Sequence, residues 1–204
     1  MNQQEYLSQI SNNVRPPKAP KQSILASPIV KIGLIGVALV IVIIIIGSLI
    51  SGNKKSTKDL SIALKLHLDG TTAEIANFQP YIKNSSLRAN GASLGTVLSN
   101  TNTELTQYLT DKYSFKANSV SKKTKTKYET LQQELHDELF EAKITGMLDR
   151  IFAYKMAYEI TQIQTEMKVI YNTASDQPYK DFLTSSFSSL ENLNEQFNNF
   201  SEVK

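Results

Sequence analysis

Two histidines, His67 and His136, and a scatter of carboxylates are the side chains here whose types could hold a metal or move a proton. A di-iron helical bundle needs carboxylates on facing helices and Glu-x-x-His on two of them. Leu64 stands three residues before His67 and Gln133 three before His136, so the motif is absent at both. His67 shares a stripe with Leu60, Leu64 and Ile75 and reads as a satisfied core or interface residue. His136, beside Asp137 and Glu138, could hold a metal loosely or sit on an exposed helix face. Glu134 with Glu138, and Glu138 with Glu141, share one helix face. Nothing in the sequence frames a cleft around them that would split their pKa values.

Gly-x-Ser-x-Gly, phosphate loops, dinucleotide fingerprints and His-Glu-x-x-His are all missing. Cysteine is absent, which excludes disulfides, thiol catalysis and thiolate metal sites. The expectation is a protein that is not an enzyme, with no catalytic or metal residues and no cofactor.

The concentrated charge is the run Lys122, Lys123, Lys125 and Lys127. Cations at a helix start oppose the helix dipole, a mild reason to give the run a use. It is a candidate contact for anionic cell-wall polymers or lipid headgroups; a solubilising loop is the plain alternative. Residues 54–204 hold 18 basic and 18 acidic side chains, so this part is neutral and nucleic acid is not an expected partner. The whole excess of +3 lies in residues 1–31, where Arg15, Lys18, Lys21 and Lys31 face Glu5.

Placement rests on residues 29–51. From Ile32 to Ile50 no charge occurs, and about 19 residues at the helical rise span about 28 Å, close to a bilayer's hydrocarbon thickness. Residues 41–46 are all β-branched, yet a lone segment in lipid can satisfy its backbone only as a helix. A cleaved signal peptide is the competing reading, but the apolar core is long for one and residues 48–55 offer a poor cleavage site. The expected organisation is a disordered cytoplasmic tail over 1–28, a single transmembrane helix over 29–51, a hinge over 52–56 and an extracytoplasmic helical bundle over 57–204. Lysines flanking the span nearly tie, with Lys18, Lys21 and Lys31 against Lys54, Lys55, Lys58 and Lys65. Long domains translocate largely regardless of charge, whereas a short basic tail (Arg15, Lys18, Lys21, Lys31) resists it, so the N-terminus is expected in the cytoplasm. Gly47 with Ser51, and Ser48 with Gly52, have the small-x-x-x-small spacing of close helix packing.

The rest reads as helix with period 3.6. The first helix is expected over 57–83, with Leu60, Leu64, Ile75, Phe78 and Ile82 buried and Pro80 loosening its last turn. The second starts near Ser85 or Ser86 and runs to about Tyr113 along Leu87, Gly91, Leu94, Leu98, Leu105 and Tyr108. Residues 114–121 are the expected irregular stretch. Between 121 and 174 one uninterrupted helix would reach about 80 Å, so a break is expected between Leu135 and Glu141 with Asp137 as cap. Tyr128, Leu131 and Leu135 form the stripe before it. Ile144, Leu148, Ile151, Tyr154 and Tyr158 form the stripe after it, and Ile160, Ile163, Met167 and Ile170 a second edge. Phe152, Tyr154 and Tyr158 read as core aromatics. Asp176 caps the last helix, with Pro178 in its first turn. The fold class is all-α, a transmembrane helix followed by an antiparallel four-helix bundle.

The segments MNQQEYLSQI, LSNTNTELTQYL, FEAKITGMLDRIFAYKMAYE and FSSLENLNEQFNNFSE, with the isoleucine-rich span, resemble single-pass membrane proteins of Saccharibacteria-type bacteria. That group carries no assigned activity, so the resemblance implies topology and fold. The external part is more distantly similar to a periplasmic ferritin-like four-helix family with an Asp-His pair in its second helix and a histidine in its third. The corresponding residues 99–103 and 153–156 hold no histidine, which implies the shape without the metal.

The leading expectation is a non-enzymatic envelope scaffold or adaptor, anchored in lipid through residues 29–51, that assembles with itself or with other envelope proteins. An extracytoplasmic ligand-binding or sensing module is the alternative, and a degenerate ferritin-like metal protein the third. After alkaline carbonate washing of membranes that carry the full chain, the intact polypeptide should stay in the pellet. Recovery in the soluble fraction would overturn the anchor.

Overall fold

The computed structural model describes residues 56–200. The tail, the apolar segment, hinge residues 52–55 and the basic positions Arg15, Lys18, Lys21 and Lys31 lie outside the described residues. Among the described residues no helix is long and apolar enough to cross a membrane.

The described residues form five helices: α1 Thr57–Phe78, α2 Ser85–Tyr113, α3 Lys122–Ile144, α4 Leu148–Thr173 and α5 Gln177–Asn198. Each start has a local cause. Ser56 accepts from the Asp59 amide at 3.1 Å and donates back to its carboxylate at 2.8 Å, a reciprocal cap. Asn84, not Ser85 or Ser86, caps α2 through the Leu87 amide at 3.0 Å. Ser121 caps α3, and Asp176 caps α5 with Pro178 in the first turn. α1 stops at Phe78, where Pro80 enters the 3₁₀ turn Gln79–Tyr81, five residues short of the expected end.

The break expected between Leu135 and Glu141 falls instead at residues 145–147. Asp137 lies inside α3, where it accepts from Gln133 four residues earlier. Gly146 makes the break by adopting φ +74°. Its amide bonds to the Lys143 carbonyl, and the Met147 amide to the Ala142 carbonyl at 2.8 Å. Both bonds of a Schellman ending are therefore present. The displaced break changes the helical phase of α4. Ile144, expected in the buried stripe, belongs to the last turn of α3 and is 70% exposed. The α4 stripe runs through Leu148, Phe152, Met156 and Ile160 and continues along Ile163, Met167 and Ile170. Tyr154 is exposed and Ile151 and Tyr158 are half-buried on its flank; Leu131 is exposed at the edge of α3.

Helices α1, α2, α5 and α4 close a ring in which every neighbour is antiparallel, and α3 lies in the groove between α1 and α4. Five helices form rather than four because residues 122–144 pack as an element of their own. One end of the bundle, here proximal, holds Thr57, the α2–α3 loop and the α4–α5 junction. There the Thr57 hydroxyl donates to the Thr173 carbonyl at 3.1 Å, and Lys112 pairs with Asp176 at 2.8 Å. At the distal end the Asp149 carboxylate accepts from the amides of Lys83 and Asn84, at 3.0 and 2.7 Å, and fixes the α1–α2 link on α4. Inside the ring Phe152 meets Phe197 at 6.3 Å. It lies against Gly91, where a Cβ would sit 3.4 Å from its ring.

Two positive-φ positions should respond oppositely to substitution. Ser114 ends α2 at φ 50° and pays the left-handed cost that Gly146 avoids. Gly146→Ala should lower stability by about 1 kcal/mol and Ser114→Gly raise it by somewhat less. Thermal unfolding of the full chain reads both, and equal midpoints for all three proteins would contradict the assignment.

Candidate functional site

The polar groups that the sequence left separate meet at the α1–α3–α4 interface. On α1, His67 and Glu74 are seven residues apart, two turns along one face. On α4, Glu159 and Glu166 have the same spacing. Helix α3 supplies Tyr128, Gln132 and His136 at steps of four.

His67 is nearly buried, its side chain 11% exposed. Its Nε2 lies 2.7 Å from Glu159 Oε2 and its Nδ1 3.2 Å from Glu166 Oε2. Two carboxylates on two ring nitrogens require both nitrogens to donate, which is the imidazolium. Burial alone would pull the His67 pKa down, but the Glu166 charge and the hydrogen bonds to Glu159 and Glu166 outweigh it and push it up to about 10. The Tyr128 hydroxyl donates to Glu166 Oε1 at 3.0 Å. Burial first and the neighbouring carboxylate second hold that phenol protonated well above its usual range.

A second cluster lies two turns toward the distal end. Glu74, buried, accepts from His136 Nδ1 at 2.8 Å through one oxygen, and from Gln132 at 3.3 Å and Asn77 at 3.4 Å through the other. Phe78 and Phe140 contact the His136 ring. Lys155 of α4 pairs with Glu138 of α3.

This arrangement bears on the chemistry. His67 has no lone pair to offer a metal or a substrate proton while it is an imidazolium, and both oxygens of Glu166 are engaged. The cavity beside Glu166 and Tyr128 is about 10 Å³ and is otherwise lined by Leu60, Ala63, Val169 and Ile170. It holds at most one water. Among the described residues no three His, Asp or Glu side chains converge as metal ligands. The interface locks helices together.

The lysine run lies elsewhere. Lys122, Lys123, Lys125 and Lys127 are exposed in the first turns of α3. Lys125 approaches Glu129 at 3.7 Å, and the Lys127 ammonium is 5.3 Å from the Tyr128 ring centre. Sequence reasoning placed His67 on its stripe but missed its partners Glu159 and Glu166. The matching two-turn spacings on α1 and α4 were the signal that could have found them.

The linkage has a definite sign. Folding raises the His67 pKa from the usual 6.5 to about 10, so this stabilisation is complete below pH 6.5 and fades as pH rises through 10. The stability of the native chain should therefore decline across that window, and His67→Gln should remove that component. His67→Ala should cost about 3 kcal/mol at neutral pH by leaving the carboxylates without their cation. Denaturant midpoints at pH 6, 8 and 10 test this; parallel profiles for native and His67→Gln proteins would refute it. Comparison of the chain with known protein families, curated proteins and solved structures gives no match.

Proposed function

We propose that the protein is a non-enzymatic, membrane-anchored helical bundle that presents an interaction surface outside the cell, as an envelope scaffold or adaptor. The observation that carries this reading is the distal end. Tyr81, Phe140, Ile144 and Met147, between 40% and 70% exposed, come together where α1 and α3 end. Lys143 lies over the Tyr81 ring, 3.2 Å from its centre. Large exposed apolar side chains gathered at one end favour a protein contact. The uncharged stretch 32–50 supports the anchor, and the ring of α1, α2, α4 and α5 fits the ferritin-like shape suggested by sequence.

One observation favours ligand binding instead. A recess of about 580 Å³ opens at the same end between Tyr81, Lys83, Lys143, Leu148 and Phe200, a size that suits a small ligand. Its polar lining, Lys83, Asn84, Lys143 and Asp149, fits a peptide contact at least as well.

A photocrosslinking side chain at Ile144 should give a discrete protein adduct in native membranes, whereas one at Asn118 of the proximal end should not. Phe140→Lys should abolish the adduct and, because its ring stacks on His136, lower stability by about 1 kcal/mol while the helical circular dichroism is kept. Recovery of lipid alone, or adducts equal from both ends, would overturn the adaptor reading.

A further inference from the structure

Lysines scattered along the sequence converge at the proximal end. To the four of the run the fold adds Lys58 from α1, Lys112 from the end of α2, Lys116 from the loop, Lys168 from α4 and Lys180 from α5. The carboxylates at this end are fewer and engaged: Asp59 with Ser56, Asp111 with Gln107, Glu129 with Lys125, Asp176 with Lys112 and Asp181 with Gln177. Glu166, at the level of Tyr128, is held by His67 and Tyr128, so among the described residues nine lysines stand against six carboxylates.

Tyrosines accompany them. Lys58 lies 5.9 Å from the centre of the Tyr113 ring and Lys180 5.0 Å from that of Tyr171. Rings with one apolar and one polar edge, beside cations, suit the headgroup layer of a bilayer. The other half of α3 has the opposite character, with Glu134, Asp137, Glu138 and Glu141 exposed. Six residues separate Ile50 from Thr57, and their seven steps span at most about 25 Å of extended chain.

We propose that the proximal end is a docking surface for anionic phospholipid headgroups, contacted by Lys116, Lys122 and Lys123 and flanked by Tyr113 and Tyr171. It rests on the anchored reading and adds a lipid-charge dependence which anchoring alone does not require. The attraction acts over about a Debye length, ~8 Å at physiological salt, so it needs close approach and is weakened by added salt.

The test uses the full chain in nanodiscs of phosphatidylcholine alone or with one quarter phosphatidylglycerol. Single labels are placed by Asn118→Cys at the proximal end and Gln196→Cys at the distal end, both exposed positions in a chain without native cysteine. A headgroup-bearing quencher should quench the label at 118 at least twofold more in the anionic discs. The label at 196 should not change, and half-molar salt should erase the difference. The triple variant Lys116→Glu, Lys122→Glu, Lys123→Glu should lose the dependence while keeping its helical circular dichroism. Incorporation into neutral discs reads the anchor separately, so failure there would sink the anchoring and not be mistaken for failure of the charged surface. Equal quenching in both discs would overturn the proposal. Protection of the lysines by soluble polyglycerol phosphate, with no lipid effect, would also overturn it and assign the surface to a wall polymer.

Discussion

Glu166 joins three helices through one carboxylate. It takes a hydrogen bond from His67 of α1 and another from Tyr128 of α3, while Glu159, two turns earlier on the same α4, holds the other nitrogen of His67. The ring of four helices has an extensive apolar core, with Leu64, Leu98, Phe152 and Leu190 fully buried, and the His67 bridge to Glu159 and Glu166 adds a polar tie between its α1 and α4. Helix α3 has no such core of its own. Its buried side chains are Tyr128, Leu135, Leu139 and Ala142, too few to hold 23 residues against their ordering entropy without help. The imidazolium cluster and the Glu74 cluster supply that help, and they do so at two levels two turns apart.

The charge pattern of α3 makes its dependence sharper. Lysines crowd its first turns and Glu138 and Glu141 its last, the reverse of what the helix dipole favours, with Lys143 the favourable exception. Each misplaced charge costs about 0.3 to 1 kcal/mol where it is close to a terminus. A helix shaped by local stability alone would carry the opposite order. Its polarity instead gives the bundle two unlike ends, one cationic and tyrosine-bearing, the other apolar with an acidic flank. Placing α3 in the outer groove shows that polarity to the surroundings, because a helix inside the ring would have to be apolar on all sides.

How much of this was legible in the sequence depended on the spacing of apolar residues. The α2 seam from Leu87 to Leu105 has regular steps and no competing pattern, so its end at about Tyr113 was readable. Asp176 and Pro178 marked the start of α5 by chemistry that acts within one turn. The α3–α4 boundary was harder. Glycine in a long helical pattern is tolerated at modest cost, and only the left-handed geometry of Gly146 shows that it ends the helix. Misplacing that boundary carried Ile144 and Tyr154 into a core they do not enter. His67 could be put on its face from α1 alone, but the carboxylates that charge it come from 92 and 99 residues away. No local rule ties residues that distant.

A cluster of buried ionised groups is seldom kept for stability, since apolar residues of the same volume commonly stabilise as well or better. Beyond holding α3 against α1 and α4, the clusters here fix its register. Four apolar side chains on α3 would pack tolerably if the helix slid along the groove by one turn, because the groove itself is lined by similar aliphatic residues. Hydrogen bonds do not tolerate the same displacement. A slide of one turn, about 5.4 Å, would part Tyr128 from Glu166 and His136 from Glu74 together and leave the buried Glu74 carboxyl without that partner. The two clusters therefore select one position for α3. That position decides where its lysines and its apolar C-terminal turn emerge, so the surfaces at both ends of the molecule are set by the ionised groups between them.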